Sequence, residues 1–195
     1  MNHQELLTNI PAQKRFVYSK LLTLLKKEQL SEVVIMSAFI TMEGIYLILN
    51  ELKELLNNQV RVVIITGFMN DFNNPRVLEF LFGLKNLELR ISKNVGFHPK
   101  LYWVKTYSGE CSFIIGSSNL TNNALRKNVE TNLYSEYQWD EIIPQQIQEL
   151  YNQVIEQSEP LSAVRLTEYK QKFVSTQAKY ITASSESPLF EPNSM

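Results

Sequence analysis

Two short segments of this chain have the residue types and spacing for phosphate chemistry. The first is Phe97-His98-Pro99-Lys100-Leu101-Tyr102, and the second is Gly116-Ser117-Ser118-Asn119-Leu120-Thr121. Histidine can act as a nucleophile, or as an acid and base, near neutral pH. The chain has two histidines, and the other, His3, lies in an N-terminus expected to fray. Any histidine chemistry therefore runs through His98. On a strand, Lys100 shares a face with His98, so its ammonium can meet the charge of a phosphate that His98 attacks. Asn119 offers an amide donor and Ser117 a hydroxyl to the same oxygens. A plainer reading stays open, with His98 a satisfied strand histidine and Ser117-Ser118-Asn119 a turn.

Other chemistries fare worse. Metal-dependent phosphodiester cleavage uses clustered carboxylates, and the only aspartates are Asp71 and Asp140. A zinc site lacks its Cys and His ligands. Cys111, the single cysteine, falls in an apolar strand context and reads as a small core residue. There is no phosphate-binding Gly-rich loop of the P-loop kind. The expectation is a site without metal or cofactor.

The elements that must position these residues can be read from periodicity. Helices are expected over Phe16–Lys27, Met42–Asn57 (capped by Thr41), Arg76–Leu84, from Asp140 to near Pro160, and over Leu161–Tyr180. Pro144 fits the fourth of these only in its first turn. Apolar strands are expected at Glu32–Ile40, Gln59–Thr66 and Leu87–Ser92, with Asn70–Pro75 turn-like. Three more follow closely at Lys100–Thr106, Cys111–Gly116 and Val129–Glu136, the first two joined by a Tyr107-Ser108-Gly109 turn. Strands buried on both faces between helices imply an α/β fold, a layered α-β-α domain with a mixed, mostly parallel central sheet. The domain is expected to span 1–180. The Ser- and Pro-rich residues 181–195 read as a flexible tail or a linker stub.

At 195 residues and 44% hydrophobic composition the chain can bury a substantial core. No apolar run is long enough to span a bilayer, and the start does not look like a signal peptide. A soluble cytoplasmic protein is the simplest expectation, and a lone cysteine agrees with a reducing compartment. The net charge of −1 gives no global pull on nucleic acid. A local basic cleft is still possible, with Lys93, Lys100, Lys105, Arg126 and Lys127 near the motifs. Of these, Lys105, Arg126 and Lys127 are the candidate substrate-binding cations beyond the motif itself.

H-x-K followed by G-S-x-N resembles the signature of the phospholipase D superfamily. His98 and Lys100 match the first part; Gly116, Ser117 and Asn119 match the second. Glu130 stands where related nucleases carry a carboxylate that orients the histidine. Lipid-hydrolysing members usually have an Asp five residues after the Lys, and Lys105 stands there instead. That departure leans toward the nuclease branch, including phospholipase D-type restriction endonucleases and helicase-associated nuclease domains.

The resemblance implies a phospholipase D-like fold and a metal-independent phosphodiesterase, here a DNA endonuclease in restriction or defence, with RNA left open as substrate. It implies a covalent phosphohistidine on His98. The family builds one site from two signatures, and this chain has one. A homodimer is therefore expected, in which the second His98 protonates the leaving oxygen and Lys100 and Asn119 of both subunits hold the phosphate. A separate recognition or helicase domain would lie outside this chain. The competing readings are a non-catalytic nucleic-acid-binding domain of a larger machine, and a phospholipase.

Overall fold

The structure, a computed structural model, describes residues 3–68 and 73–186. Three apolar strands, β2 (Leu30–Ser37), β3 (Arg61–Thr66) and β4 (Leu87–Ser92), are linked by two helices, α2 (Met42–Asn57) and α3 (Pro75–Phe82). A strand–helix–strand crossover of this length returns the chain in the same direction, so β2–β3 and β3–β4 pair in parallel. Thr41 caps α2, its hydroxyl accepting from the Gly44 amide. Asn74 caps α3, with Pro75 in its first turn. The expected turn at Asn70–Pro75 lies partly outside the described residues.

The second half is antiparallel. β5 (Lys100–Thr106) lies beside β2, followed across the sheet by β6 (Glu110–Gly116) and β7 (Asn132–Gln138). The β5–β6 turn carries Gly109 at φ 88°, a left-handed conformation that a side chain resists. Two short edge strands complete an eight-stranded sheet in the order β1-β7-β6-β5-β2-β3-β4-β8. They are β1 (Gln4–Leu7) on β7 and β8 (Ser158–Pro160) on β4, both antiparallel.

The sheet is thus mixed as expected, but mostly antiparallel rather than mostly parallel. Only the α2 and α3 crossovers join neighbouring strands in parallel. From β5 onward a tight turn joins β5 to β6, and the links carrying the Asn122–Arg126 and Ile142–Glu156 helices lead to β7 and β8, which pair antiparallel with β6 and β4. The N-terminus also differs from expectation. From His3 onward it is pinned rather than frayed, because β1 pairs along β7 and the Glu136 amide donates to the His3 carbonyl.

Side chains that alternate along the strands face two separate cores. On one face Val33, Ile35, Val62, Ile64, Tyr102 and Ile114 pack against α1 (Val17–Leu25), α2, α3, α4 (Asn122–Arg126) and α6 (Ala163–Glu186). On the other, Val34, Val63, Trp103 and Phe113 meet Ile147 and Tyr151 of α5 (Ile142–Glu156). The molecule is therefore a layered α-β-α sandwich, and burial on both faces is why these strands read as continuous apolar runs. Cys111 is buried in the second core, its sulfur accepting from the Trp103 indole. Burial pushes its thiol up to about 11. α6 runs on to Glu186, across the expected domain boundary, and residues 187–195 of the expected tail lie outside the described residues.

No helix of the described residues is long and apolar enough to cross a membrane.

Candidate active site

Sheet register brings the two motifs together. Lys100 opens β5 and Gly116 closes β6, and antiparallel pairing of Leu101 with Ile115 sets those ends side by side. Ser37, at the end of β2, pairs with Lys100 from the other flank, and Asn132, opening β7, pairs with Gly116. The site thus sits where four strands begin or end at one edge of the sandwich.

Gly116 is required by this convergence. A Cβ added to it would lie 2.2 Å from the Thr131 carbonyl oxygen and 2.6 Å from the Asn132 Cα. Both are backbone atoms, so relief means separating β6 from β7. Gly116→Ala is expected to destabilise the fold by about 1–3 kcal/mol, with a lowered Tm by circular dichroism and a parallel loss of phosphate binding.

His98 is exposed, and Lys100 is 8% exposed beside it. The Lys100 ammonium donates to the His98 carbonyl at 2.8 Å and lies 2.7 Å from Nδ1 and 3.1 Å from Nε2 of the ring. Burial lowers the Lys100 pKa, and the nearby Glu130 carboxylate opposes that shift. The ammonium covers both ring nitrogens in this arrangement.

Asn119 is oriented by the loop after β2. The Phe39 amide donates to Asn119 Oδ1 at 3.1 Å, which leaves the NH2 end as the amide's outward donor. Ser117 accepts from the Thr131 amide at 2.9 Å and donates its proton to Glu130 in a short bond. The other Glu130 oxygen accepts from the Asn128 side chain at 3.2 Å. Within one chain, then, Glu130 is engaged by Ser117 and Asn128. Ser118 is structural: it is fully buried, bonded to Asn132 and Ala124, and its carbonyl accepts from the buried Tyr102 hydroxyl.

His98, Lys100, Ser117, Asn119 and Glu130 are brought to one place. Lys105 is not: it lies at the far end of β5, about 17 Å away at strand spacing, with its ammonium over the Trp139 ring. Arg126 and Lys127 end α4, and Arg126 lies over Tyr18 on α1. No hydrogen bond or ion pair ties either of them to the motif residues. His3 precedes β1 at the end remote from the site, since it is Leu7 that pairs with Asn132.

Two residues that shape the site carried no chemical signal in the sequence. Phe39 contacts both motifs, as its amide holds Asn119 and its ring stands edge-on to His98 at 6.0 Å and 81°. Asn73 is 1% exposed and clamps the loop that carries Phe39. It donates to the Ala38 carbonyl, the Thr66 hydroxyl and the Gly67 carbonyl, and accepts from the Ile40 amide. An asparagine directly ahead of the Asn74 cap of α3, in a segment read as turn-like, was the only hint of it.

Residues 21–157 match the family described as "Cardiolipin synthase, PLD-like domain". No curated protein matches the sequence. Among solved structures, NucT from Helicobacter pylori superposes with a TM-score of 0.64 at 17% identity, over 83% of this chain and 100% of that one. The phospholipase D family member Nuc from Salmonella typhimurium gives 0.63 at 14% identity, over 84% of this chain and 100% of its own. Phosphatidylserine synthase from Haemophilus influenzae Rd KW20 gives 0.60 at 16% identity, with 93% of this chain covering 47% of that protein. The family match spans well over half the chain, and these structures share its fold. With one H-x-K and one G-S-x-N set at the same sheet edge, the chain belongs to the phospholipase D-like domain family, within the phosphodiester-acting phospholipase D superfamily.

Proposed function

We propose that this protein is a metal-independent phosphodiesterase, a DNA endonuclease of restriction or defence, whose working site is shared by two copies. The observation that carries this reading is one histidine, one lysine and one oriented amide at the ends of adjacent strands, with the second histidine of the chain far away. In-line displacement needs a nucleophile on one side of phosphorus and an acid on the other. A single chain supplies only the first.

In the proposed reaction a His98 ring nitrogen attacks phosphorus, and the P–N bond forms as the bond to the leaving oxygen breaks. His98 of the second copy gives that oxygen its proton. It then takes a proton from water, whose oxygen displaces the histidine and regenerates the site. Lys100 and the Asn119 NH2 group stabilise the charge on the phosphoryl oxygens.

The rim of the site favours a protein partner. Exposed apolar side chains stand beside each motif: Val95 at 87% before His98, Ile115 at 40% before Ser117, and Val129 at 74% before Glu130. Leu133 and Leu6, in register with Ile115 across β7 and β1, extend that exposed row. A polyanion gains little from such a surface, whereas a second copy can bury it.

Cleavage of plasmid DNA in excess EDTA tests the chemistry. Activity is expected to persist, because the charge is met by Lys100 and Asn119. Complete loss on chelation with rescue by magnesium would overturn it.

A further inference from the structure

Within one chain, His98 is poorly held for a nucleophile. Among the described residues its ring nitrogens meet only the Lys100 ammonium, and that ammonium must leave for the phosphate. The Glu130 carboxylate is engaged by Ser117 and Asn128. The other aromatic contact to the ring is Phe39, edge-on at 6.0 Å.

Phe39 is itself rigidly placed. The loop after β2 is bonded to three other segments of the chain, around Pro99, Asn119–Leu120 and Asn73. The Ser37 hydroxyl donates to the Phe39 carbonyl and accepts from the Leu120 amide. The Ala38 amide donates to the Pro99 carbonyl, between His98 and Lys100. The Ile40 amide donates to buried Asn73, and Ile40 bridges to Leu120. A side chain on so constrained a backbone can hold its neighbour's orientation at little further entropic cost.

We infer that Phe39 is a positioning residue of the active histidine, its ring helping to hold the His98 imidazole in the attacking orientation once Lys100 turns to the phosphate. This rests on the phosphodiesterase reading above. Its backbone amide separately orients Asn119, so one residue aligns nucleophile and phosphate grip. The two roles are separable, since a side-chain substitution leaves the amide in place.

The test pairs kinetics with NMR of the histidine ring in the full chain. Phe39→Ala is expected to lower kcat by about 10- to 100-fold, the scale of a small misplacement of a reacting group, with KM for a phosphodiester substrate nearly unchanged. Phe39→Tyr restores the wild-type rate. With only two histidines, His3→Gln identifies the His98 ring signals. In Phe39→Ala these lose the ring-current shift and average over rotamers; in Phe39→Tyr they do not.

Phe39→Leu keeps apolar bulk without the flat ring and gives the same pattern should the alanine variant unfold. Unaltered kcat, a loss confined to KM, or unaltered His98 signals in the alanine or leucine variant overturns the assignment. The NMR arm needs no turnover. A wild-type protein inert toward phosphodiesters would sink the functional reading, while the ring signals still decide the role of Phe39.

Discussion

His98→Ala is expected to yield a folded protein that cleaves more than about 10⁴-fold more slowly than wild type, beyond what general acid–base catalysis alone supplies. The loss is this large because both catalytic histidines of the proposed site are the same residue in two copies. Folding is spared because His98 is exposed and outside both apolar cores. Lys100→Ala is expected to behave differently, weakening phosphate binding as well as turnover, since its ammonium grips the ground state and the transition state alike. Single-turnover rates with circular dichroism melts check both. A His98→Ala protein with the wild-type melt and a near wild-type rate would remove histidine from the mechanism.

Mixed assemblies of wild type with His98→Ala should be inactive, or should stop after the first step with a strand attached to the single remaining histidine. Each composite site in such a heterodimer lacks either the nucleophile or the acid. Purified heterodimers carrying two different tags make the measurement direct. Half the wild-type rate per heterodimer would mean that each subunit works alone. The exposed row beside the site offers a complementary route. Ile115→Asp with Leu133→Asp places two carboxylates on that surface without entering either core. The expected result is a monomer by light scattering, with an unchanged circular dichroism spectrum and no turnover. A fully active monomer would refute the shared site. An isologous interface of this kind is expected to bury about 1,600 Å² or more in total.

Local patterns were enough for the long elements. Six apolar residues at helical spacing, Ile45, Ile48, Leu49, Leu52, Leu55 and Leu56, with Thr41 ahead of them, define α2, and the runs at Val33–Met36 and Val62–Ile65 define β2 and β3. Short elements were not legible. β1, β8 and α4 have three to five residues each, too few to show a period. Edge strands such as β1 and β8 form because a neighbour offers unpaired backbone groups, and nothing in their own composition announces that. The parallel bias assigned to the sheet arose from extending the β-α-β pattern of the first half into a second half whose strands, even where a helix lies between them, pair antiparallel.

By itself the sequence determined which groups could do chemistry: a lone usable histidine, a lysine two residues on, and a serine and asparagine in a glycine-led turn. These are properties of side-chain type and local spacing. Tertiary structure alone decided which of them meet. Antiparallel register sets Lys100 beside Gly116, removes Lys105 to the far end of the same strand, and turns Glu130 toward Ser117. It also recruits Phe39 and Asn73, because backbone hydrogen bonds close loops between residues 33 and 80 positions apart. Such closures depend on the packed sheet that holds both ends, so no window of the chain can display them.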